Sequence, residues 1–192
     1  MSRERRLNFG SGLVGYKEGW INADWNDDVV PDVVADLSGV LPFASDTISR
    51  VFLNHVLEHF REPMRVLEEI WRVCSDKAQV MIVSPHPQSK WAWGDPDHKS
   101  IISPQMMGFL RWPHYDDNIR LGRPMTQSRP ECDYDILGMQ AQASDDEPLY
   151  QVEYLLQVVK PIRNSFWTAE KERIRRERIN AREARLTREG RL

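Results

Sequence analysis

Three short apolar runs near the start of the chain each end in residues that could hold a nucleoside. Leu7-Asn8-Phe9 leads into Gly10-Ser11-Gly12, the run from Trp20 to Ala23 ends at Asp24, and Val33 to Ala35 ends at Asp36-Leu37. A glycine turn lets backbone pass close beneath a ligand, and a carboxylate closing a strand can accept from ribose hydroxyls. Two later segments carry groups that could move a proton or hold a metal. His55-Val56-Leu57-Glu58-His59 sets two imidazoles and an acid within one turn, which could share a metal, and the separate segment Asp95-Pro96-Asp97-His98-Lys99 carries an imidazole that could take a proton.

Those groups must be positioned by strands and at least one helix. The contacts converge if Arg6 to Phe9, Trp20 to Ala23, Val33 to Ala35 and Ile48 to Leu53 are parallel strands, because open α/β sheets bind ligands at their carboxyl edge. Pro63 suits the first turn of a helix in which Met64, Leu67, Ile70, Trp71 and Cys74 fall on one face. A turn at Ser75-Asp76-Lys77 then precedes a strand from Val80 to Val83, stopped by Pro85 and Pro87. Ser103 caps a short helix from Gln105 to Trp112, residues 113 to 131 read as a long loop, and Tyr134 to Gln142 with Tyr150 to Val159 reads as a hairpin around an acidic turn at 143–148. The expected architecture is α/β and Rossmann-like: a seven-stranded sheet, mostly parallel, with an antiparallel C-terminal hairpin.

Two chemistries are disfavoured by spacing. A dinucleotide site wants a helix opening after the glycines to face the pyrophosphate, and only Tyr-Lys-Glu-Gly-Trp separates Gly15 from the second strand. His55-x-x-Glu58-His59 matches an inverted zinc-protease pattern, but His55 stands at a strand-to-helix junction and Pro63 follows closely, so a third ligand is lacking and no metal is expected.

The runs LNFGSG, GWINADWN, PDVVADLSGVLPF, ISRVFLNHVLEHF and AQVMIVSPH, in that order over roughly residues 5 to 105, resemble a class I S-adenosylmethionine-dependent methyltransferase. The likeness is greatest to the small branch whose first crossover helix is reduced to a loop. The resemblance implies S-adenosylmethionine as cofactor, with Asn8, Gly10, Ser11 and Gly12 beneath its methionine part, Asp24 on the ribose, Asp36 and Leu37 beside the adenine, and Asn54 and His55 beside the sulfonium. Many members have an acid where Asn8 stands, and the branch often has Cys at the place of Ser11. Related enzymes carry a segment like Asp95 to His98 above the cofactor, which makes His98 the candidate catalytic base.

At 192 residues, 41% hydrophobic and 29% charged, the chain can bury an ordinary core. No apolar run approaches the roughly 20 residues that cross a bilayer, and the Arg-rich start leads straight into a strand, so a cytoplasmic protein is expected. Cys74 and Cys132 lack metal-ligand spacing and read as reduced and structural. Composition divides the chain into a methyltransferase domain, 1–166, and a basic helical tail, 167–192, with nine Lys or Arg against five Glu. Interspersed Glu favours a solvated helix or an oligomer contact over nucleic acid. The expected reaction is methylation of a small-molecule, sugar or lipid-linked acceptor. The alternatives are an RNA- or DNA-directed methyltransferase using the tail and a catalytically inactive binding protein of the same fold. Asn54-His55-Val56 lacks the Pro-Pro-aromatic motif used on exocyclic base amines, which disfavours that route.

Overall fold

The computed structural model describes residues 4–114, 121 and 130–163, and in the tail positions 173, 174, 176–178, 180, 181, 184 and 188. Seven strands form one sheet in the order β3-β2-β1-β4-β5-β7-β6. They are β1 (Arg6–Phe9), β2 (Ile21–Asp24), β3 (Val33–Val34), β4 (Ile48–Asn54), β5 (Cys74–Pro85), β6 (Tyr134–Ser144) and β7 (Glu147–Val158). β1 to β5 pair in parallel, and the β6–β7 hairpin adds antiparallel to β5. The central strands are covered on both faces: Leu7, Phe9, Leu53, Val80 and Ile82 are fully or almost fully buried, as parallel strands require. The strand order reverses between β1 and β4, and that reversal opens a crevice at their carboxyl ends.

The long helix is α1 (Pro63–Val73), with Pro63 in its first turn and Val66, Leu67, Ile70 and Val73 buried. Val66 and Val73 thus join the packed face, while Cys74 is the first residue of β5. Burial pushes the Cys74 thiol up to about 12 and raises that of Cys132 as well, and both cysteines are free and buried. The expected turn at 75–77 is a bulge: β5 runs unbroken, pairing slips from Ile48↔Cys74 to Arg50↔Gln79, and Lys77 takes up the extra residues at φ 63°. Ser103 caps α3 (Pro104–Gly108) by accepting from the Met106 amide, and α3 ends at Gly108, short of the expected Trp112. Between β5 and α3 lies α2 (Lys90–Gly94). Much of the 113–131 loop, and the tail as a whole, fall outside the described residues; the tail positions that are described are helical.

The loop that carries Asp36 and Leu37 is anchored to α1 by one carboxylate. Glu69 accepts from the Leu41 amide at 2.7 Å and from Arg72, whose guanidinium also donates to the carbonyls of Leu41 and Phe43. The Arg72 bonds, then the Leu41 amide, hold the Glu69 carboxyl below its ordinary 4.5. A depressed carboxylate stabilises the fold fully above its unfolded value and loses that contribution as pH falls through the folded one. Glu69→Gln is therefore expected to cost about 1.5–3 kcal/mol at about pH 7, with the gap to the parent narrowing at a pH well below the ordinary 4.5. Thermal melts at both pH values measure it; a gap that does not change with pH would refute the assignment.

Candidate active site

The crevice is floored by the turn that leaves β1. Gly10 and Gly12 have φ of 64° and 50°, a region where glycine is at ease. A Cβ on Gly10 would meet Val56 Cγ2 at 2.3 Å. The turn is fixed from β2: Asp24 accepts from the Gly12 amide at 3.0 Å through one oxygen and from the Asn26 amide at 3.0 Å through the other. Asp36 forms a similar local ring, accepting from the amide and hydroxyl of Ser38, and these bonds lower its pKa.

Gly10, Asp24, Asp36, Leu37 and His55 line one cavity of about 240 Å³. Five of the residues singled out from sequence therefore meet across four separate strand ends. Trp25, Val56 and Phe60, which sequence reasoning passed over, line it too. Trp25 follows Asp24 directly, and an aromatic just after the ribose acid was the available signal. Ser11 and Gly12 sit in the turn itself, and the Ser11 hydroxyl is buried without a partner among the described residues. Asn54 is exposed at the end of β4 and does not reach the cavity lining.

Asn8 is part of the framework. Its amide donates to the Gly15 carbonyl and to Asn22 Oδ1, both at 2.8 Å, and Asn22 faces it directly across the β1–β2 pair. Asn22 in turn accepts from the Lys17 amide and donates to Asp32. This buried chain takes the place of a crossover helix between β1 and β2. An acid at position 8 could not donate both bonds, which accounts for the amide.

On the far side of the crevice His55, at φ 52°, has both ring nitrogens engaged: Nδ1 is 3.1 Å from Glu58 and Nε2 is 3.1 Å from Gln151. The Glu58 bond, against some desolvation, raises the His55 pKa. Glu58 is 1% exposed, and its other oxygen is 3.3 Å from the Ser84 hydroxyl. Its backbone carbonyl accepts from the amides of Lys99 and Ser100, which folds the 95–100 loop back over the crevice. That return sets the His98 ring 5.0 Å from the His59 ring, edge to face. His98 Nε2 lies 3.8 Å from Asp95, and Nδ1 is buried with no partner among the described residues. Trp91 and Trp93 remain exposed on α2. A second cavity of about 730 Å³ opens outward from the first, sharing Asp36 and His59 and adding Arg61, Arg65, Asp97 and Lys99.

Residues 17–82 match the methyltransferase domain family. The match spans about a third of the chain. A methyltransferase from Archaeoglobus fulgidus described as S-adenosylmethionine-dependent is similar in structure, with 15% identity, TM-score 0.53, and 81% of this chain and 86% of that one covered. The methyltransferase CalH, solved with S-adenosylhomocysteine, has 13% identity and TM-score 0.53 over 81% of this chain and 51% of its own. The [4+2]-cyclase SpnF has 11% identity and TM-score 0.53 over 81% and 74%. At these identities the likeness is one of fold. No curated protein matches the chain by sequence. The family match and the structural likeness together give the chain a methyltransferase-like fold. Among the described residues no helix is long and apolar enough to cross a membrane.

Proposed function

We propose that the chain is an S-adenosylmethionine-dependent methyltransferase that acts on a small hydroxyl- or amine-bearing acceptor, sugar and lipid-linked intermediates included, held in the outer cavity. The observation that carries the reading is the pair of joined cavities: an inner one walled by Gly10, Asp24, Asp36 and Leu37, and an outer one of about 730 Å³, within the size range of small-molecule sites. Arg61, Arg65 and Lys99 beside Glu62 and Asp97 offer donors and acceptors suited to a polar acceptor. The cofactor supplies an activated methyl group on a sulfonium.

The inner cavity suits a nucleoside. Gly10 presents no side chain, each Asp24 oxygen retains a lone pair beyond its one structural bond and can accept from ribose hydroxyls, and Leu37 offers an apolar edge beside Asp36. The Ser11 hydroxyl in the floor turn is a further polar group without a partner among the described residues. His98 is the candidate base: Asp95 lies beside its Nε2, and its chain neighbours Asp97 and Lys99 line the outer cavity. Most of the rate comes from holding acceptor, methyl and sulfur in line. SpnF, a cyclase of similar fold, illustrates why fold alone does not fix the reaction.

Asp24→Ala is expected to weaken adenosylhomocysteine binding by about 10- to 150-fold, the equivalent of losing a charged acceptor worth about 1.5–3 kcal/mol. Titration calorimetry of the parent and Asp24→Ala checks it, with Asp24→Asn intermediate. Equal affinity for all three would remove Asp24 from the cofactor site.

A further inference from the structure

We infer that Glu58, His59 and His98 bind one divalent transition-metal cation at the junction of the two cavities. Deepening the acceptor assignment on which its role rests, this site would hold an oxygen of the acceptor next to the methyl donor.

One ligand atom from each of the three residues lies within 4.8 Å of the other two. Metal bonds of roughly 2.0–2.2 Å draw tetrahedral ligands to within about 3.5 Å of each other, so side-chain rotations of about an ångström complete the set. Two imidazoles and one carboxylate form a donor set that zinc and its neighbours accept, leaving positions open.

The hydrogen bonds around the ligands favour the metal-binding form of each. His59 Nδ1 is 3.2 Å from the Asp97 carbonyl, and a carbonyl only accepts, so Nδ1 carries the hydrogen and the neutral ring keeps its lone pair on Nε2. Backbing a ligand histidine with a carbonyl in this way is common in metal sites. His98 has a carboxylate near one nitrogen, while Nδ1 is buried and has no partner among the described residues, and the side chain is only 8% exposed. A buried ring nitrogen without a partner is costly, and a cation would satisfy it. Glu58 is oriented from behind by His55 and Ser84. His55 and His59 alone lack a third ligand in sequence, but the fold turns His55 toward Gln151 and brings His98 from 39 residues away to His59 instead.

His59 borders both cavities, and Asp97 and Lys99, on either side of His98, line the outer one. A cation there lowers the proton affinity of a bound hydroxyl. In the loaded protein His98 then holds the cation in place of taking the proton.

The test is metal binding itself. Chelator-treated full-length protein is titrated with Zn(II) by calorimetry and with Co(II) by visible absorption, alongside His98→Ala and His59→Ala checked for folding by circular dichroism. The expected result is one equivalent per chain, a Co(II) ligand-field band, and at least about tenfold weaker binding in each variant. Absence of stoichiometric binding to the parent at about 100 µM cation, or unchanged affinity in folded His98→Ala, overturns the inference. Adenosylhomocysteine titrated into the metal-free parent keeps the two questions apart: nucleoside binding without metal binding defeats only the metal site, and metal binding without nucleoside binding defeats only the cofactor assignment.

Discussion

His98→Ala is expected to lower methyl transfer by about 10²- to 10⁴-fold while adenosylhomocysteine affinity stays within about twofold. The magnitude follows from either role of the ring, since both promote loss of the acceptor's proton. The sparing of cofactor affinity follows from position: His98 sits on the returning 95–100 loop, beyond the residues that line the inner cavity. Steady-state rates on an identified acceptor, paired with calorimetry, supply both readings. Full activity in the variant would leave Asp95 to His98 as an ordinary turn and move the proton acceptor elsewhere. Chelation separates base from ligand: activity that survives removal of metal leaves His98 as the base, and activity lost with the metal and restored by it makes His98 a ligand.

Gly10→Val is expected to abolish measurable cofactor binding and to destabilise the fold as well. A side chain at φ 64° costs about 1–2 kcal/mol, and its Cβ would stand 2.3 Å from the buried Val56, adding an overpacking cost of about 1–3 kcal/mol. Together these lower the melting temperature by roughly 5–15 °C in a chain of this size. Pairing Gly10→Val with Val56→Ala removes the overpacking part and leaves the backbone part, so the melting temperature recovers in part and binding does not. Unaltered adenosylhomocysteine affinity in folded Gly10→Val would place the cofactor away from the β1 turn.

Strand positions were legible to within a few residues because parallel strands are nearly unbroken apolar runs, and Leu7, Phe9, Ile48 and Val80 need no tertiary context to read as buried. The convergence of Gly10, Asp24, Asp36 and His55 followed from topology, since every one closes a strand whose carboxyl end faces the same edge. Asn8 was opaque for a different reason: an amide's role depends on its partner, and Asn22 becomes that partner only when β1 and β2 are in register. His98 and His59 meet through backbone bonds to the Glu58 carbonyl, which leave no trace in side-chain type. The bulge at Lys77 reads as a turn in sequence because a bulge and a turn use the same polar residues; only pairing with β4 tells them apart.

The side-chain chain from Asn8 through Asn22 to Asp32 has a kinetic consequence. A crossover helix shares its stability among many repeating backbone bonds, whereas the connection from Gly10 to Trp20 hangs on a few amide and carboxylate contacts. Such a segment can open locally while the sheet beneath it stays formed. Amide hydrogens between Gly10 and Trp20 are then expected to exchange faster than those of β1 and β4, and a ligand seated on the Gly10 turn is expected to slow them.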